Sequence, residues 1–152
     1  MASRTASAAL LVALLLGGCA GDSDGLPAAC LGEPATIDQA LERAPAAVML
    51  ADGTRLSTCV SRARNDADLQ TLGASLLTVA DSLSSRAASD SDSVAALRLG
   101  YLRGAARRGV LNNRDLAANL GRRLEQTTEL QHGSAASRAA LERGLRAGEA
   151  GG

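Results

Sequence analysis

Apolar residues recur every three or four positions through most of the chain beyond residue 65, and that spacing is the strongest constraint on its fold. After Asn65-Asp66, the residues Leu69, Leu72, Leu76, Val79, Ala80 and Leu83 fall on one side of an α-helix. Leu116, Leu120 and Leu124 repeat the pattern, and Leu141 and Leu145 repeat it more weakly. Strand-like sequence is confined to Val48-Met49-Leu50 and Thr54-Arg55-Leu56, which flank the turn dipeptide Asp52-Gly53. The expected fold is all-α: a small helical bundle of about four to five helices, with at most one short β-hairpin near 48–56.

Punctuation residues set the expected boundaries. Thr36 followed by Gln39 matches a capping box, Ile37 and Leu41 share the face of a short helix, and Pro45 stops it. Ser57 to Arg64 can form a helical turn carrying Cys59. Asn65 and Asp66 cap the leucine-striped helix, and the Ser- and Asp-rich stretch Ala87 to Ser93 breaks it before a helix over 94–109. Asn112-Asn113 turns the chain into a helix over about 113–131, ended by His132-Gly133. A weaker helix follows over Ser134 to Ala147, and residues 148–152 read as a frayed, disordered tail.

The helix over 94–109 carries apolar side chains on two sides. Leu99, Leu102 and Ala106 lie opposite Val94, Leu97, Tyr101 and Ala105, with Ala96, Gly100 and Gly104 forming a strip of small residues between them. That distribution marks a central helix touched by several neighbours. The strip lets one neighbouring backbone come close, at about 1 kcal/mol of helix propensity per Gly. Arg98, Arg103, Arg107 and Arg108 exclude a membrane-spanning reading of Gly100-x-x-x-Gly104.

Composition removes several chemistries. Among 152 residues there are 32 Ala, 25 Leu and 16 Arg, with no Lys, Phe or Trp, and only one Tyr and one His. No Schiff-base amine or phosphate-loop lysine is available. A single His builds no multi-histidine metal site, and a single aromatic builds no stacking platform for bases. No cofactor is implied, and nucleic acid is an unsuitable partner for a chain of zero net charge. His132 reads as a helix-terminal cation; the chain lacks the nucleophile-elbow pattern that would make it part of a triad.

The N-terminus carries an address. Arg4 precedes an apolar run from Ala8 to Leu16, too short for the roughly 20 residues that span a bilayer. This matches a secretory signal peptide over residues 1–18. Leu16-Gly17-Gly18-Cys19 resembles the lipobox of bacterial lipoprotein precursors. The resemblance covers only the first 19 residues. It implies transfer of a diacylglyceryl group to the Cys19 thiol, cleavage before Cys19, acylation of the new amino group with a palmitate-like chain, and anchoring to the outside face of a bacterial membrane. The competing reading is a secreted protein cut after Ala20. Residues 19–34 then form the lipidated cysteine and a flexible tether, and 35–147 the helical domain.

Either cut leaves Cys30 and Cys59 as a pair, and outside the cytoplasm such a pair forms a structural disulfide. Charge is lopsided: residues 20–92 hold 11 acids and 5 Arg, while 93–152 hold 5 acids and 10 Arg. The two halves are expected to attract each other within the fold. Arg103, Arg107, Arg108, Arg114, Arg122 and Arg123 form the one candidate anion-binding patch, since guanidinium groups suit carboxylates and phosphates. Used without Lys, they read first as a solvated, internally paired face. The expected role is that of a non-enzymatic envelope lipoprotein acting as an interaction or structural module. Its partners are the membrane, through Cys19, and an envelope protein or polymer. A binder of anionic headgroups or envelope polymers through the Arg patch, and a small envelope hydrolase, are the alternatives.

Overall fold

The computed structural model describes residues 25–89, 92–127 and 133–152. The expected signal peptide over residues 1–18, Cys19 and His132 lie outside these residues. Among them the chain is all-α. A 3-10 turn at Ala28–Leu31 leads into α1 (Pro34–Leu41), α2 (Leu56–Arg62), α3 (Asp66–Ser89), α4 (Ser93–Leu111), α5 (Arg114–Thr127) and α6 (Ala135–Gly151). The expected hairpin is reduced to one antiparallel bridge between Met49 and Arg55. Its turn is present: Gly53 takes φ 80°, and the Asp52 carboxylate accepts from the Thr54 backbone N–H at 2.9 Å. A strand ladder never extends because Leu56 is already the first residue of α2.

Local starts and stops follow capping chemistry. The Asp92 carboxylate accepts from Val94 N–H at 2.8 Å and Ala95 N–H at 3.2 Å, opening α4. The Ser134 hydroxyl accepts from Ser137 N–H and opens α6. Asn65 accepts from Asp68 N–H at the start of α3. The expected Thr36 cap is corrected: α1 begins with Pro34 at its first turn and Glu33 as cap residue, while the Thr36 hydroxyl donates back to the Glu33 carbonyl. The expected break after Ala87 is narrower than anticipated, because Ala87 is buried in the core and α3 continues to Ser89. Of the helix expected over 113–131, the part from Arg114 to Thr127 is present and the remainder lies outside the described residues.

Part of the segment expected to be a tether, residues 19–34, belongs to the fold. Cys30 is fully buried and bonded to Cys59 of α2, with Cα atoms 5.4 Å apart. The fold therefore begins before residue 34, with Leu26 and Ala29 packed against the core. Tyr101 on α4 is the largest fully buried side chain, and its hydroxyl accepts from Val48 N–H at 3.0 Å. The lone aromatic thus ties the 42–55 connection to the central helix.

The tightest helix contact among the described residues joins α4 to α6. A Cβ added at Gly100 would lie 2.0 Å from the Leu141 carbonyl oxygen, and one at Gly104 would lie 2.2 Å from that of Leu145. Reciprocally, a Cβ at Gly144 would meet the Leu97 oxygen at 2.0 Å and one at Gly148 the Tyr101 oxygen at 2.2 Å. Both series advance in the same direction, so the helices run parallel with their backbones in contact. Residues 148–152 are consequently no frayed tail. Gly148 is packed on α4, the helix continues to Gly151, and Ser57 donates to the Gly152 carbonyl.

Candidate functional site: an arginine-lined groove

The six arginines singled out in the sequence do not form one patch. Arg103, Arg107 and Arg122 come together along a groove of about 260 Å³ between α4 and α5. Its apolar wall includes Ala106, Val110, Leu111 and Leu124. The groove follows from helical spacing. On α4, Arg103, Ala106, Arg107, Val110 and Leu111 stand three or four residues apart on one face, as Ala118, Gly121, Arg122 and Glu125 do on α5. The turn at Asn112-Asn113 brings α5 back alongside α4, and the Asn113 amide donates to Val60 O and Ala63 O at 3.1 and 2.7 Å. That side chain caps the end of α2 and fixes where the turn sits.

The remaining arginines are elsewhere. Arg108 points to the end of α6 and donates to the carbonyls of Glu149 and Ala150, where a cation suits the helix C-terminus. Arg114 is exposed at the start of α5. Arg123 faces the opposite side and lines a separate groove of about 300 Å³ between α3 and α5, with Asp66, Gln70 and Leu116.

Within the α4–α5 groove the charges are incompletely matched. Arg107 pairs with Glu149 on α6 at 3.3 Å. Glu125 supplies an acid on the groove wall. Among the described residues Arg103 and Arg122 have no hydrogen-bond or ion-pair partner, and the Arg103 Nε is buried without an acceptor. A guanidinium partly withdrawn from water without a carboxylate opposite it is costly. The expectation of an internally paired face therefore holds at Arg107 and Arg108 and fails at Arg103 and Arg122. The apolar members Val110, Leu111 and Leu124 were not anticipated as groove residues; the three- and four-residue spacing of Val110 and Leu111 from Arg107 was the available signal on α4, and the three-residue spacing of Leu124 from Gly121 on α5.

Among the described residues, no group of three His, Cys, Asp or Glu is arranged to hold a metal ion, and no helix is long and apolar enough to cross a membrane. A further groove of about 580 Å³ lies between the 3-10 turn, α1 and residues 49–51, lined by Thr36, Gln39, Glu42, Arg43 and Met49 among others. It mixes both charge signs and holds no convergent set of polar groups. No family model, curated protein or solved structure matches the chain.

Proposed function

We propose that the chain is an exported lipoprotein of the bacterial cell envelope, held to the membrane through Cys19, whose helical domain acts as a non-enzymatic binding or structural module. The observation that carries this reading is the pairing of Cys30 with Cys59 inside the core, both fully buried. Buried structural disulfides belong to oxidising compartments. They agree with a basic start, an apolar run of nine residues and the lipobox-like Leu16-Gly17-Gly18-Cys19.

Anchoring also sets a distance. From Cys19 to the disulfide at Cys30 there are eleven residues, which span at most about 40 Å when fully extended. The domain would therefore work close to the bilayer surface. Two acyl chains, at about 0.8 kcal/mol per buried methylene, are enough for durable attachment.

The test is intact mass of the protein from membrane and soluble fractions, beside a Cys19→Ala variant. A membrane-bound species that starts at Cys19, carries two or three acyl chains and is lost in the variant is the expected result. A soluble species starting near Gly21 would replace anchoring by simple secretion.

A further inference from the structure

We propose that the α4–α5 groove binds a small anionic amphiphile, its carboxylate or phosphate head held by Arg103 and Arg122 and its short apolar body lying on Ala106, Val110, Leu111 and Leu124. This inference is independent of where the protein resides, so it stands or falls separately from the anchoring through Cys19.

The head group follows from the charge left over. Glu149 pairs with Arg107 and Glu125 adds one acid to the groove wall, which leaves the groove with an excess of positive charge; Arg103 and Arg122 line it from two helices with no hydrogen-bond or ion-pair partner among the described residues. Arg103 is half-buried and its Nε is shut off from water with no acceptor, so the side chain is laid into the wall with only part of its guanidinium solvated. Such a group gains more from an incoming oxyanion than a fully hydrated surface arginine does, because less water has to be stripped from it. Two guanidiniums converging on one space suit an anion with several acceptor oxygens.

The apolar body follows from the wall. Leu111 is the most exposed large hydrophobic side chain among the described residues, at 59%, and it stands at the groove. Leu124 and Ala106 are buried beneath it. A bare inorganic anion would leave that surface wet, whereas a short chain attached to the anion covers it. The size limits the ligand: about 260 Å³ lies just under the roughly 300–1,000 Å³ of pockets that enclose drug-sized molecules, so only a few carbons fit.

Titration of the full-length Cys19→Ala chain, followed by backbone amide NMR shifts, tests this. Hexyl phosphate and hexanoate are expected to shift the amides of Gly121, Val110 and Leu111, with at least about tenfold tighter binding than inorganic phosphate or hexanol. Arg103→Gln and Arg122→Gln should each weaken hexyl phosphate binding by about tenfold. Arg143→Gln, on the exposed side of α6, should leave it unchanged. Arg122 is exposed, so its variant carries the test if Arg103→Gln fails to fold. Flotation with anionic vesicles separates the two sources of such a head group. Binding to vesicles that depends on Arg103, with no binding of the soluble amphiphiles, would overturn the enclosed ligand in favour of a bilayer headgroup. Equal losses from Arg143→Gln, or equal affinity for inorganic phosphate, would overturn the site altogether.

Discussion

Helix α4 is packed in two opposite ways, by backbone against α6 and by side chains against α5. On the α6 side, Gly100 and Gly104 meet Gly144 and Gly148, and every added Cβ would fall within about 2 Å of a carbonyl oxygen. Nothing fits between those helices, and the close backbones allow Cα–H to carbonyl contacts along the seam. On the α5 side, the Cβ of a residue replacing Gly121 would meet only the Val110 side chain, at 3.2 Å, and beyond it the helices part into a groove. One neighbour gives α4 a rigid position; the other leaves space and unmatched charge. The same helix can therefore carry both a structural seam and a binding surface, on separate faces.

The largest effect is expected on the seam. Gly144→Ala places a methyl on the Leu97 carbonyl, and since backbone cannot swing aside the variant should lose about 4 kcal/mol of stability. Thermal unfolding would show a drop of roughly 10 °C or more. A variant that unfolds within a degree or two of the parent would mean that α4 and α6 can separate cheaply, and the contrast would collapse.

Smaller losses should follow where side chains tie the ends of the seam. Ser57→Ala removes the donor to the Gly152 carbonyl, and Tyr101→Phe removes the acceptor for Val48 N–H. Each should cost about 1–2 kcal/mol in denaturant unfolding, the usual penalty for orphaning a buried polar group. Losses confined to Tyr101→Phe would indicate that the Ser57 hydrogen bond adds nothing to the glycine packing and the Arg107 and Arg108 contacts that hold the end of α6.

On the groove side the sign should reverse. Arg103→Met replaces a partly buried, unpartnered guanidinium by an apolar chain of similar reach, and stability is expected to rise by about 1 kcal/mol while hexyl phosphate binding is lost. A destabilised variant would assign Arg103 to holding the fold. Gly121→Ala should change stability least, with a gain of up to about 1 kcal/mol from helix propensity if Val110 shifts by a few tenths of an ångström.

Acid gives a final check that lies outside both faces of α4. The hydrogen bonds from Thr54 hold the Asp52 carboxyl below its ordinary value of 3.8. A depressed folded-state value means that its contribution is complete above about pH 4 and fades as the pH falls through the lower value. Asp52→Asn should therefore be slightly less stable than the parent above about pH 4, the difference shrinking as the pH falls through the lowered value. A difference that appears only in acid would contradict the assignment.

Much of the fold was legible because the leucine spacing is local information. Leu72, Leu76 and Leu83 are buried where the stripe places them, and Cys30 and Cys59 meet as an even pair of cysteines implies. The strip Ala96, Gly100, Gly104 announced a close neighbour, since Gly within a helix costs propensity that something else must offset. Which neighbour it was remained hidden. Gly148, Gly151 and Gly152 read in isolation as fraying, and only the close approach of Gly148 to the Tyr101 carbonyl and of Gly152 to Ala105 shows that stretch packed as the end of a helix.

The arginines divide in the same way. Their number and helical spacing are properties of the sequence, which could state that Arg103 and Arg107 share a face. Whether a guanidinium finds a carboxylate depends on contacts across helices that lie far apart in the chain. Glu149 reaches Arg107 because α6 lies parallel to α4, whereas Arg103 and Arg122 stand over a groove with no partner of their own. By itself the sequence determined the helices, the turn at Asp52-Gly53 and the cysteine pair, each set by propensity, spacing or count. The register of α4 on α6, and with it which charges are satisfied and which are left to a ligand, was decided only by tertiary packing, because backbone contact between distant glycines has no local signature.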